Sequence, residues 1–215
     1  MNPLYLLLLV PVFFAVLHFH AGRYPYSAAV TASCLVISLI AGASPWIVAA
    51  YALSIVGDYF MAHSGGKNGD RMLLGGIVGF FLAHACFLTY SLTVIEIPEN
   101  PLFRIAAAAL LVAGYTVFLL KTLYPAIRER FLRVAATAYT GISLCVMTAS
   151  LFSAAPAASA VLFAAGIAFI LFSDTLIALS RFLGRKKLSR WICPTYFICH
   201  VLIAASQIVL SNFPG

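Results

Sequence analysis

Eight runs of apolar residues, each long enough to cross a bilayer, follow one another along the chain: roughly 3–20, 24–43, 45–63, 72–95, 102–120, 132–152, 157–180 and 191–211. A spanning α-helix needs about 20 predominantly apolar residues. The runs therefore predict an all-α, polytopic membrane protein with eight transmembrane helices. Pro25, Pro45, Pro101, Pro156 and Pro194 stand at or near the starts of five runs, where the missing N–H of proline costs a helix little. The connections are too short to fold separately, so residues 1–215 read as a single integral membrane domain. Only 9% of the chain is charged, against roughly 25% in an average soluble domain.

The few charges are unevenly placed. Counted by loop, twelve of the thirteen Lys and Arg residues fall on one side of the predicted membrane, in the connections after the first, third, fifth and seventh helices. Arg104 alone falls on the other. The positive-inside bias makes the basic loops cytoplasmic and puts both termini outside the cytoplasm, in a bacterial inner membrane. Because the basic residues sit in short loops rather than along one folded face, the net charge of +7 does not point to nucleic acid. The five cysteines lie in apolar spans without CxxC spacing, which indicates neither a disulfide frame nor a thiolate metal site. No Lys or Arg precedes the first apolar run, so that run is read as a helix and not as a cleaved signal.

Two carboxylates interrupt the apolar spans: Asp174 within AGIAFILFSDTLIALSR (165–181) and Asp58 within SIVGDYF (54–60). A charged side chain near the bilayer centre costs at least ~2.5 kcal/mol on insertion scales, and such residues usually mark a function. Asp58 lies one or two turns from the cytoplasmic end of its helix, and Asp174 a similar distance from that end of its own. His84, Tyr139, Tyr196 and His200 enter from the same side and reach the same half of the bilayer, which predicts one pocket opening toward the cytoplasm. Tyr51, Ser54 and Asp58 form a polar stripe on the third helix, and Tyr196, His200 and Gln207 form another on the eighth. Such stripes face protein or water, since lipid would leave them unpaired. Asp58, Asp174, His84, Tyr139, Tyr196 and His200 are the candidate catalytic residues, and Ser54 and Ser173 the candidate substrate-binding ones. SGGKNGD (64–70) lacks the GKS or GKT ending of a P-loop. No GxSxG, HExxH or SxxK pattern supports a serine triad or a zincin. The basic run Arg185, Lys186, Lys187 and Arg190 is of a kind that can hold a lipid phosphate, but the positive-inside bias already accounts for it, and His18, His20 and His63 read as interfacial.

His84 follows Asp58 by 26 residues and His200 follows Asp174 by 26. Shifted by 116 without a gap, GFFLAHACFL (79–88) overlies TYFICHVLIA (195–204), and SIVGDYFMA (54–62) overlies ILFSDTLIA (170–178). This register suggests a parallel 4+4 internal repeat, residues 1–100 and 101–215, about an axis along the membrane normal.

With these residues in place, the chain resembles the YhhN-like membrane proteins, the lysoplasmalogenase family. The resemblance rests on SIVGDYF, FFLAH, AYTGIS around Tyr139, FILFSDTLIA and YFICHVLI, in order from about residue 45 onward. One departure is His200, where the family pattern usually has Gln. The resemblance implies hydrolysis of the vinyl ether bond of a lysoplasmalogen, a lysophospholipid of the bilayer, to a fatty aldehyde and a glycerophospho-alcohol. A vinyl ether is cleaved by protonating its β-carbon, and two carboxylates can divide that work as acid and base. On this reading Asp58 and Asp174 are the pair, His84 and His200 tune them or relay protons, Tyr139 and Tyr196 position, and no cofactor or metal is needed. Two other readings of the same cluster stay open. One is a metal-dependent lipid hydrolase with a divalent ion among Asp58, His84, Asp174 and His200. The other is a proton-coupled transporter of a small amphiphile.

Overall fold

The computed structural model describes residues 3–65, 68–95, 99–153 and 155–212. Its elements follow the apolar runs closely: α1 (Leu9–Ala21, preceded by a 3-10 segment, Pro3–Leu8), α2 (Tyr24–Ile40), α3 (Pro45–Ala62), α4 (Gly69–Thr93), α5 (Leu102–Phe118), α6 (Arg130–Ser150), α7 (Ala157–Phe182) and α8 (Ile192–Leu210). Seven of these stretches are long and apolar enough to cross a membrane, α1 with its 3-10 lead included; α2 is a shorter apolar helix. The protein is therefore an all-α, multi-pass integral membrane protein. The predicted helix ends need only small corrections. For α4 the Gly69 start lies three residues before the expected one, because the helix begins at the polar Gly69 and Asp70 rather than at the first apolar residue. Lys67, one of the residues counted for orientation, lies outside the described residues.

Local sequence accounts for several ends. Ser44 caps α3 by accepting the Trp46 N–H at 3.4 Å, with Pro45 in the first turn. Gly184 closes α7 in the left-handed conformation, φ +67°, which a residue with a Cβ adopts only at a cost. Behind it the Arg185 N–H reaches back to the Leu179 carbonyl at 3.2 Å. Past its end α5 continues through a π-helical turn, Leu119–Leu123, into a last short turn at Tyr124–Ala126.

Glycines let the two carboxylate helices press against their sequence neighbours. A Cβ on Gly79 of α4 would lie 3.0 Å from the Gly57 backbone of α3, and one on Gly57 would lie 3.0 Å from the Phe80 ring. On α7, a Cβ on Gly166 would meet the Ile203 side chain at 2.6 Å and the Cys199 carbonyl of α8 at 3.1 Å. Small residues at such crossings are how helices associate in lipid, where burial of apolar surface supplies no drive. As a result α3 with α4 and α7 with α8 are the most closely packed pairs; α4 also lies against α6, and α2 against α8. The shared core includes Tyr51, Phe87, Ile167 and Ile203, each nearly or wholly inaccessible. Leu9, Phe13, Phe103, Leu110 and Val161 remain exposed on the outside, as a surface turned to lipid requires. Peripheral to this core is α5, on which Ala108 is the one buried residue.

Candidate active site

Gly57 sits directly before Asp58, so the close α3–α4 crossing brings the Asp58 turn hard against α4. The Asp58 carboxylate accepts a hydrogen bond from Thr31 Oγ1 of α2 at 3.1 Å. Tyr196 of α8 stands beside it, its hydroxyl close enough to interact with Asp58 but without a hydrogen bond of normal geometry. Thr31 is fully buried, as is most of Tyr196. The carboxylate is thus supported from α2 and α8 while remaining partly accessible.

Asp174 is approached from α6 and α4. Tyr139 of α6 donates to its Oδ2 at 2.5 Å. His84 Nε2, on α4, faces the same oxygen at 3.8 Å. The other imidazole nitrogen, Nδ1, lies 2.8 Å from the Phe80 carbonyl. A carbonyl can only accept, so Nδ1 carries the hydrogen, and in the neutral ring Nε2 is left as the lone-pair nitrogen pointing at Asp174. The His84 side chain is 3% exposed and that of Asp174 15%: the carboxylate is partly accessible, the imidazole buried. Behind Asp174, Thr175 Oγ1 donates to the Leu171 carbonyl at 2.8 Å. The Tyr115 hydroxyl of α5 therefore donates to Thr175, at 2.9 Å.

Both carboxylates line one cavity of about 460 Å³, walled by the facing ends of α1, α2, α3, α7 and α8 together with Phe80 of α4. It lies at the end of the bundle where the basic connections are. A second, narrower pocket of about 80 Å³ runs between α4, α5, α6 and α7, lined by Ile77, Phe118, Leu171 and other apolar side chains together with Tyr115 and Tyr139. Asp174, Phe80 and Arg181 border both. Asp174 therefore stands where a wider vestibule, lined in part by charged and hydroxyl side chains, meets a more uniformly apolar cleft.

The remaining predicted residues are placed differently. His200 is fully buried and its ring packs between Tyr51 and Tyr196, with ring centres 5.3 and 4.4 Å away. Neither of its ring nitrogens has a hydrogen-bond partner among the described residues, so His200 is not brought to a carboxylate. The Tyr51 hydroxyl donates to its backbone carbonyl at 2.7 Å, tying α3 to α8. Ser173 donates to the Ile192 carbonyl at 3.3 Å, joining α7 to the start of α8. Ser54 is buried within α3, and neither serine lines the two cavities. Among the described residues, no three His, Cys, Asp or Glu side chains converge as a metal site requires. Thr31, Tyr115, Thr175 and Arg181 were not singled out by sequence. Of these, only Arg181 carried a legible signal: it follows Asp174 by seven residues, two turns along the same face.

The model of the YhhN family matches the chain over residues 2–207. No curated protein sequence and no solved structure matches it.

Proposed function

The chain belongs to the YhhN family, and on that premise we propose that it hydrolyses the vinyl ether bond of a lysoplasmalogen. The observation that carries the reading is the position of Asp174, at the junction of the vestibule that also holds Asp58 and the apolar cleft that also holds Tyr139. A lysoplasmalogen changes from polar to apolar at its vinyl ether. Headgroup and glycerol would occupy the vestibule, and the alkenyl chain would start into the cleft and leave it toward lipid.

In this mechanism Asp174, protonated, is the general acid. It transfers its proton to the β-carbon of the alkenyl group; the double-bond electrons form the new C–H bond and an oxocarbenium ion remains. Asp58, as carboxylate, takes a proton from water as the water oxygen bonds to the α-carbon. The hemiacetal formed then collapses, its hydroxyl proton lost and the glyceryl oxygen protonated, to give fatty aldehyde and glycerophospho-alcohol. Tyr139 holds Asp174 in place through its hydrogen bond, and the lone pair of His84 Nε2 faces the same oxygen as a station for the returning proton. General acid–base steps of this kind contribute typically 10²–10⁴-fold each.

The test is aldehyde release from a lysoplasmalogen by detergent-purified protein in D₂O. Carbon protonation predicts one deuterium on the aldehyde carbon adjacent to the carbonyl. A transporter would release no aldehyde, and aldehyde without that deuterium would exclude protonation at carbon.

The parallel 4+4 repeat is part of the same proposal. It is supported by the like pairing of α3 with α4 and α7 with α8, and by α2 lying on α8 as α6 lies on α4. It would place Asp58 and Asp174 as counterparts about one axis.

A further inference from the structure

We propose that Arg181 is the subsite for the lipid phosphodiester, and that it makes the site selective for phosphorylated over phosphate-free alkenyl lipids. This rests on the vinyl ether reading of the same cavity. Arg181 borders both the vestibule and the apolar cleft, as Asp174 does. Its Nη2 donates to the Ser64 carbonyl at 3.2 Å and also to Ser64 Oγ, so the turn that follows α3 holds the guanidinium in place. Nε and Nη1 keep N–H groups with no protein acceptor among the described residues, and no carboxylate there forms an ion pair with Arg181. A guanidinium anchored through one nitrogen, uncompensated by an acid and exposed to a cavity is suited to a phosphate oxyanion.

Spacing along α7 fits the lipid. Asp174 and Arg181 are seven residues apart, which is about 10.5 Å of helix, and helical side chains slope back toward the N-terminus, shortening the gap between their ends. In an extended lysoplasmalogen the phosphorus lies seven bonds from the alkenyl β-carbon, ~9 Å at ordinary bond lengths and angles. One helix face therefore holds a proton donor and a phosphate-binding cation at the separation of the two groups they would engage. Ile177 and Ala178, between them, line the apolar side.

The experiment compares Arg181→Gln and Arg181→Lys with the unaltered protein in detergent on two substrates, lysoplasmalogen and the phosphate-free 1-alkenylglycerol. Arg181→Gln is expected to raise KM for lysoplasmalogen at least tenfold and to cut the kcat/KM ratio between the two substrates by a similar factor, with Arg181→Lys recovering part of the ratio. A parallel fall on both substrates with the ratio unchanged would overturn the proposal, because Arg181 would then only be tying α3 to α7. Binding of a saturated 1-alkyl lysophospholipid and of 1-alkylglycerol, neither of which can be hydrolysed, separates this proposal from the reaction. Arg181-dependent preference for the former supports the subsite even if no aldehyde forms; no preference, with aldehyde formed normally, refutes the subsite and leaves the reaction standing. Competition by inorganic phosphate as strong as that by the alkyl lysophospholipid would also refute it, by showing a free-anion site.

Discussion

Asp58 and Asp174 differ in what holds them. Asp58 accepts from a threonine hydroxyl, while Asp174 accepts from a tyrosine at 2.5 Å and faces the bare nitrogen of an imidazole. In the proposed mechanism that asymmetry is the reason for giving proton donation to Asp174, which faces His84, and water activation to Asp58. Asp174→Asn and Asp58→Asn are each expected to lower kcat for aldehyde release at least 100-fold. Both replacements keep the shape of the side chain, so the variants should unfold near the temperature of the unaltered protein. Turnover near normal in both would refute the mechanism. The two carboxylates and His84 were legible in the sequence because an ionisable residue in an apolar run is conspicuous by its cost. Thr31 and Tyr115 were not, because a hydroxyl in a membrane helix can satisfy itself on its own backbone, as Thr89 does at 2.9 Å, and nothing in the spacing tells the two cases apart.

At the scale of elements, the site depends on helix crossings that only glycine permits. Gly79→Leu would drive a side chain into the Gly57 backbone, which has no freedom to swing aside. Overpacking of this kind typically costs about 1–3 kcal/mol. The variant is expected to unfold several degrees lower in detergent and to lose activity through displacement of Asp58. Gly114→Leu on α5, where a Cβ would meet nothing within 4 Å, is expected to leave the unfolding temperature almost unchanged. Equal effects from the two substitutions would show that the α3–α4 crossing is not what sets stability. The same crossings explain a difference between spacing and structure. The 26-residue interval relates His84 to Asp58, yet the His84 ring lies against Asp174 of the other half. An interval along the chain gives position on a helix face, whereas α4 packs on α6 as well as on α3, and that placement turns His84 toward the Tyr139–Asp174 pair.

For the whole molecule, the vestibule opens at the end where α3 and α7 finish and α8 begins, beside the basic connections. Positive-inside orientation would make that end cytoplasmic and leave both termini outside. A phosphatase reporter fused to either terminus, active only outside the cytoplasm, is expected to be active, and one inserted at 185–187 is expected to be silent. The reverse pattern would place the mouth of the vestibule on the outer face. The sequence by itself determined the number of apolar helices, their ends to within a few residues, the clustering of basic charge and the identity of the carboxylates set within the helices. These depend on local hydropathy and on the cost of charge in lipid, which neighbouring residues reveal. Only the tertiary structure decided that His84 faces Asp174, that His200 is packed between two tyrosines, that Ser54 and Ser173 lie off the cavity walls, and that Arg181 overlooks the same cavity as both carboxylates. Those facts follow from which helix faces meet, and that is set by contacts between residues far apart in the chain.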